Sequence, residues 1–238
     1  MTGVLARRLD PDERAGLRLT LLAVGLVVVA LLVVPLALLV RDSWGPLVRL
    51  DIRVENAMHA DAVRHSSLAD LAKALTWVGA PLVLELAAAA LVVLLLVRRR
   101  RRLALYLTVS VAGAYVLSTA GKLAVDRARP SFGDPLSHAR GTSFPSGHAT
   151  GSAAFYLALA VVLLSVVPAR RRPLLLVLAV VVPLLVAATR VVLGVHYLTD
   201  VAAGLLLGWG WVLACTALFA AWRADEGRPA PVLEEGLE

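Results

Sequence analysis

Charge, sulphur and aromatic rings are all scarce in this chain of 238 residues. Only 17% of the residues are Asp, Glu, Lys or Arg and 5% are Phe, Trp or Tyr, against 59% hydrophobic. With a mean hydropathy of +0.80, a soluble fold of this length would leave large apolar patches in water, so a single soluble domain is excluded. The bilayer is the solvent that fits. One cysteine, Cys215, excludes an intramolecular disulfide and any thiolate metal cluster. No H-E-x-x-H spacing occurs, and beyond His148 and His196 only His59, His65 and His138 remain, so no metal or other cofactor is expected. Lysine is rare as well: 22 of the 24 basic residues are Arg. They stand in short runs between apolar stretches, as topology signals do, which argues against nucleic acid as a partner despite a net charge of +7.

What the chain has in abundance is long apolar runs. About 20 helical residues cross a hydrocarbon layer of ~30 Å. Six segments meet that requirement: 19–40, 78–97, 103–120, 148–167, 173–193 and 201–222. The expected fold is all-α, a polytopic membrane protein with six transmembrane helices in a bundle over 19–222. Residues 1–18 read as a cytoplasmic N-terminal segment and 223–238, with Pro229, Pro231 and several Glu, as a disordered cytoplasmic tail. The first apolar run follows Arg7, Arg8, Arg14 and Arg18 and is too long for a signal-peptide core, so it reads as an uncleaved anchor. Pro35 and Pro183 fall inside spans, where membrane helices tolerate a kink. No internal repeat is present.

Arginine placement sets the expected orientation. With six spans, 14 of the 24 basic residues lie on one side, including Arg98 to Arg102 and Arg170 to Arg172. The positive-inside rule makes that side cytoplasmic, with both termini on it. The loop after span three, the start of span four and the junction of spans five and six then emerge together on the extracytoplasmic face. Segment 41–77 differs from the rest. It carries five basic and five acidic residues, with Leu47, Leu50, Val54, Ala57 and Met58 at roughly helical spacing. It reads as one or two amphipathic helices at the outer interface, packing as a connecting cap or gating a lipid substrate.

Three polar clusters interrupt the apolar text on that face. They are Lys122 with Arg129-Pro130, Pro145-Ser146-Gly147-His148, and Arg190 with His196 and Asp200. Charged groups at membrane ends are costly and therefore functional candidates. His196 and Asp200, four residues apart, share a helix face. A carboxylate on one ring nitrogen leaves the other electron-rich, as a nucleophilic histidine needs, although such a pair alone is more often a structural contact. Lys122, Arg129 and Arg190 supply the fixed positive charge that a transferring phosphoryl group requires; each alone is also compatible with snorkelling. Ser146-Gly147-His148 opens an apolar span, where unpaired N–H groups attract anions and glycine allows close approach. Together these groups form a complete in-line displacement site.

The stretches Lys122 to Pro130 (KLAVDRARP), Ser143 to Ala149 (SFPSGHA) and Arg190 to Asp200 (RVVLGVHYLTD) closely resemble the three signature motifs of the type 2 phosphatidic acid phosphatase superfamily. That family includes lipid phosphate phosphatases, undecaprenyl pyrophosphate phosphatases and glucose-6-phosphatase, and shares its site with vanadium haloperoxidases. The motifs span 122–200 and the helix layout extends the resemblance over roughly 19–222. The resemblance implies that His196 attacks phosphorus to form a phosphohistidine, with Asp200 orienting it and His148 as general acid. Lys122, Arg129, Arg190, Ser146 and Gly147 would hold the phosphoryl oxygens, with no divalent metal. Leu198 stands where many members have proline, which alters turn rigidity rather than chemistry. Asp126 and Arg127 are expected to form a local ion pair, and Glu85, inside span two, either pairs with a motif cation or lies near the outer interface.

The expected activity is hydrolysis of a lipid phosphate or pyrophosphate from the outer leaflet, with membrane lipids as surroundings. The soluble vanadate-dependent oxidases use the same residues but lack six spans. A phosphotransferase with another lipid or sugar as acceptor, or a silent transporter or scaffold, shares the motifs; a non-enzymatic anion binder has no need of His148, His196 and Asp200 together. Phosphatidate, phosphatidylglycerol phosphate, polyprenyl pyrophosphates and lipid-linked sugar phosphates all fit one such site, and neither the lipid nor the oligomeric state is written in the motifs.

Overall fold

The structure is a computed structural model that describes residues 11–225 except Asp134. The expected 223–238 tail lies almost wholly outside the described residues, as do residues 1–10. Every regular element described is helical. The elements run α1 (Pro11–Arg41), α2 (Gly45–Arg64), α3 (Ser66–Thr76), α4 (Pro81–Val97), α5 (Arg101–Val125), α6 (Gly147–Leu163), α7 (Arg172–Val192) and α8 (Leu198–Asp225). Five stretches are long and apolar enough to cross a membrane: Ala23–Arg41, Ser66–Val97, Arg101–Val125, Ala169–Val192 and Leu198–Phe219. Helix α6 is also apolar but has 17 residues, a length of about 26 Å at 1.5 Å per residue.

Composition explains which helices lie outside. Leucine and valine side chains of α1, α4 and α7 stand exposed, among them Leu31, Leu86 and Leu174, as lipid-facing surfaces require. The short α6 sits at the centre, against α4, α5, α7 and α8. Its inward residues are small, and Ala149, Ala153, Ala154 and Ala158 are fully buried. Gly204 and Gly208 on α8 complete that crossing. A Cβ at Gly208 would fall 2.5 Å from the Thr150 carbonyl oxygen, and one at Gly204 2.8 Å from that of Ser146. Small residues spaced by four let two membrane helices approach to backbone contact.

Inside the bundle, three aromatic side chains bond across to neighbouring helices. Tyr106 on α5 hydrogen-bonds Thr216 on α8 at 2.8 Å, and the Trp211 indole donates to the Val109 carbonyl at 3.1 Å. Pro183 in α7 has no N–H to offer the carbonyl four residues earlier. The Trp209 indole of α8 donates to that carbonyl, Ala179 O, at 3.2 Å.

Segment 41–77 forms two helices, α2 and α3, but the buried stripe of α2 is not the apolar one. Asp51, Glu55, His59 and Ala62 face inward, while Leu50 and Ala57 are exposed and Val54 and Met58 half-buried. In lipid surroundings apolar groups lose nothing by facing outward, whereas carboxylates need partners. The helix therefore turns Asp51 and Glu55 to the protein, where α2 packs on α3, α7 and α8, and leaves Arg49, Arg53, Asp61 and Arg64 exposed.

Candidate active site

The C-terminal ends of α5 and α7 and the N-terminal ends of α6 and α8 meet at one end of the bundle, under α2 and α3. The structure brings all eight motif residues to that end. The 126–146 segment between α5 and α6 is fastened by the first cluster. Lys122 Nζ donates to the Thr142 carbonyl at 3.1 Å; Arg129 donates from Nε to Gly141 O at 2.9 Å and from Nη1 to Val195 O at 2.8 Å. Arg129 is thereby held between that segment and the α7–α8 turn.

Ser146 caps α6, its Oγ accepting from the Ala149 N–H at 3.5 Å, and its own N–H donates to the Asp200 carbonyl at 3.0 Å. The first N–H groups of α6 have no acceptor within the helix, and the space a Cβ would take at Gly147 is open, with nothing within 4 Å. His148, one residue on, is half-buried and lies within electrostatic range of Arg190, His196, Arg129 and Lys122. Arg190, buried near the end of α7, donates from Nη1 to Thr76 Oγ1 on α3 at 2.9 Å, and its Nε has no protein partner.

His196 lies in the turn between α7 and α8, which Gly194 makes possible with φ +68°; a side chain there would also strike His59 and Phe132. Its Nε2 is 3.0 Å from Arg129 Nη1 and its Nδ1 3.5 Å from Asp200 Oδ2. A guanidinium only donates, so Nε2 carries the lone pair and Nδ1 the proton. Burial pushes the His196 pKa down to about 4; Asp200 opposes that, and Arg129 and Arg190 reinforce it. The ring is neutral at pH 7. Asp200 is the third residue of α8 and also accepts from the Tyr197 N–H at 2.9 Å, reaching back over the helix start as an N-terminal cap.

The expected Asp126–Arg127 pair is not formed. Asp126 ends α5 in a left-handed conformation, φ +47°, which Asp tolerates. Arg127 turns inward instead and donates from Nη1 to Asp200 Oδ1 and from Nη2 to Asp51 Oδ2, each at 2.7 Å. Asp51 further accepts from the Thr199 N–H at 3.0 Å and from the Thr199 hydroxyl. Burial alone would weaken the Arg127 charge, but Asp200 and Asp51 hold its pKa above the usual arginine value. Beside them, burial and the Asp51 carboxylate push the Glu55 pKa up to about 7, against the pull of Arg127. Asp51 and Glu55 lie outside the sequence motifs, and Arg127 and Thr199 fall within the motif stretches but not among the residues given a role there. One signal for the α2 pair was available: Asp51, Glu55 and His59 recur every four residues, a polar helical stripe. Glu85 stands exposed on α4, one turn from its start.

Residues 103–224 match the PAP2 superfamily, and the chain belongs to it. That range contains all eight motif residues. Phosphatidylglycerophosphatase B of Bacillus subtilis is 38% identical over 86 residues, covering 35% of this chain and 42% of that protein. Lipid A 1-phosphatase of Rhizobium etli is 34% identical over 122 residues, 48% of each chain. The chain thus matches less than half the length of these curated relatives. The crystal structure of a transmembrane PAP2 type phosphatidylglycerolphosphate phosphatase from Bacillus subtilis shares the fold. The TM-score is 0.66 at 24% identity, over 89% of this chain and 96% of that one. With its apolar helices, the protein is a multi-pass membrane protein.

Proposed function

We propose that the protein is a metal-independent phosphatase that hydrolyses a lipid phosphate or lipid pyrophosphate through a phosphohistidine at His196. The observation that carries this reading is the state of the His196 ring: Nε2 is unprotonated and meets Arg129 Nη1, Nδ1–H faces Asp200, and the cations Arg129 and Arg190 stand by it. Phosphatidate, phosphatidylglycerol phosphate and polyprenyl pyrophosphates are the substrate classes, in keeping with the lipid phosphatases among its relatives.

Arg129 Nη1 rests on the Nε2 lone pair. An incoming phosphoryl group draws the guanidinium onto its oxygens and uncovers the nucleophile. Nε2 attacks phosphorus in line, the bond to the leaving oxygen breaks, and that oxygen takes a proton from His148. Asp200 stabilises the proton on Nδ1 as positive charge develops. Charge on the equatorial oxygens is met by Arg129, Arg190, Lys122, the N–H groups at the start of α6 and the Ser146 hydroxyl, which is the role a metal plays in other phosphoryl-transfer sites. Water, deprotonated by His148, then attacks the phosphohistidine and releases phosphate.

The membrane arrangement belongs to the same proposal. Six spans, with α6 as the short fourth, place both termini in the cytoplasm and the site on the extracytoplasmic face. The exposed run Arg98–Arg101 lies at the end of α4 remote from the site, as the positive-inside rule asks. Trp44 and Trp77, both largely exposed, flank α2 and α3 at the site end, where an interfacial aromatic belt would lie. The test is phosphate release by detergent-purified protein in excess EDTA, from phosphatidate and from a polyprenyl pyrophosphate. Metal-independent release that disappears in His196→Ala is expected. Equal release by both proteins would remove His196 from the reaction.

A further inference from the structure

We infer that Arg127 and Asp51 are positioning residues that hold Asp200, and through it His196, in attacking geometry, so that the surface helix α2 is part of the catalytic machinery. This rests on His196 being the nucleophile. Arg127 stands two residues from Arg129, and its sequence neighbour Asp126 is the partner expected for it. Its contacts say otherwise. Nη1 serves Asp200 Oδ1 and Thr199 Oγ1, Nη2 serves Asp51 Oδ2, and the guanidinium lies 4.0 Å above the Tyr197 ring. Its charge is taken up by two carboxylates that are both fully buried, so its Nη1 and Nη2 are turned to them rather than to a phosphoryl group.

The two carboxylates share one design. Each gives one oxygen to Arg127 and the other to the backbone at the start of α8: Asp200 Oδ2 to the Tyr197 N–H, Asp51 Oδ1 to the Thr199 N–H. The 196–200 turn is thus gripped from its own helix and from α2, with Arg127 as the bridge. The same Asp200 Oδ2 also faces His196 Nδ1, at 3.5 Å. If Arg127 were absent, Asp200 would be free to rotate, and the acceptor that fixes the ring's proton on Nδ1 would move. A lysine cannot replace it, because a single ammonium does not present two arms at a fixed angle to two carboxylates.

The test uses full-length Arg127→Gln, Arg127→Lys and Asp51→Asn in detergent, with His196→Ala as reference. Steady-state phosphate release from phosphatidate and the His196 tautomer by 15N-histidine NMR are measured on each. The Arg127 variants should lose about 10- to 100-fold in kcat, the scale of an ångström-level misplacement, with KM within about threefold because the phosphate ligands are untouched. Asp51→Asn should fall in the same direction by less, since its amide oxygen still accepts from Thr199. The wild-type spectrum should show the Nδ1–H tautomer alone and the variants a mixture. An Arg127→Lys protein with wild-type kcat and one tautomer overturns the proposal, as does a loss confined to KM, which would make Arg127 a phosphate ligand. Should Arg127→Gln fail to fold, Arg127→Lys and Asp51→Asn carry the same criteria. If the wild type releases no phosphate, or His196→Ala remains active, the proposed hydrolase fails, while the tautomer spectrum still decides whether the clamp holds the ring.

Discussion

Both ends of this bundle are rich in arginine, and they use it in opposite ways. At the α4–α5 turn, Arg98 to Arg101 point into the surroundings, and none is drawn into the bundle. At the other end Arg127, Arg129 and Arg190 are buried or half-buried, and each is tied to named acceptors on another element. The first set acts as a block of charge that resists crossing a membrane. In the second, every guanidinium has a direction, and direction is what phosphoryl chemistry needs. An arginine count does not separate the two; the acceptors do.

Substitutions should divide the molecule along the same line. His196→Ala is expected to reduce phosphate release by about 10⁴-fold or more, to background. Arg129→Ala should lose about 10²–10³-fold, as for other removed oxyanion ligands, and Arg190→Ala should behave alike. Arg99→Ala, on the same assay, should stay within about twofold, since an exposed charge contributes little. A tenfold loss there would erase the distinction between the two ends. Gly208→Val presses on the α6–α8 crossing rather than on a charge. It should cost about 1–3 kcal/mol of stability through overpacking, read as a lowered Tm, and should reduce activity by shifting the start of α6.

Two smaller effects sharpen the electrostatics. His196 titrates below its ordinary value, so it is neutral at pH 7 and takes a proton only as pH falls through about 4. Its ring resonances should show that midpoint, and a midpoint near 6.5 would mean the ring is solvated. Glu55 shifts the other way, to about 7. The folded protein holds its proton more tightly than the unfolded chain, so stability falls as pH rises from about 4.5 to 7 and stays lower above. Glu55→Gln should therefore leave Tm at pH 4 nearly unchanged and raise it at pH 8, by about 2–4 °C for each kcal/mol recovered.

The helices were legible because the bilayer imposes a length and a composition on each. Segment 173–193 became Arg172–Val192 and 78–97 became Pro81–Val97. The motif residues were legible because lysine, arginine and histidine at membrane ends have no apolar explanation. Asp51 and Arg127 were not, for two physical reasons. Arg127 has an acidic neighbour at 126, so a local pair satisfied the charge on paper, while its real partners lie 76 residues before and 73 after. The rule that apolar stripes face the protein interior, sound in water, also misdirected the reading of α2, whose polar stripe is the inward one.

The bond from Trp209 to the carbonyl released by Pro183 bears on how the chain is assembled. Alone in lipid, α7 would present a bare carbonyl at Ala179, and a lone helix cannot repair that by itself. The indole that satisfies it arrives only with α8. The α7–α8 hairpin, which carries Arg190, His196 and Asp200, is therefore best threaded into the bilayer as a unit, its closing bond already in place. Trp209→Phe would then delay maturation of the protein more than it would change the finished fold.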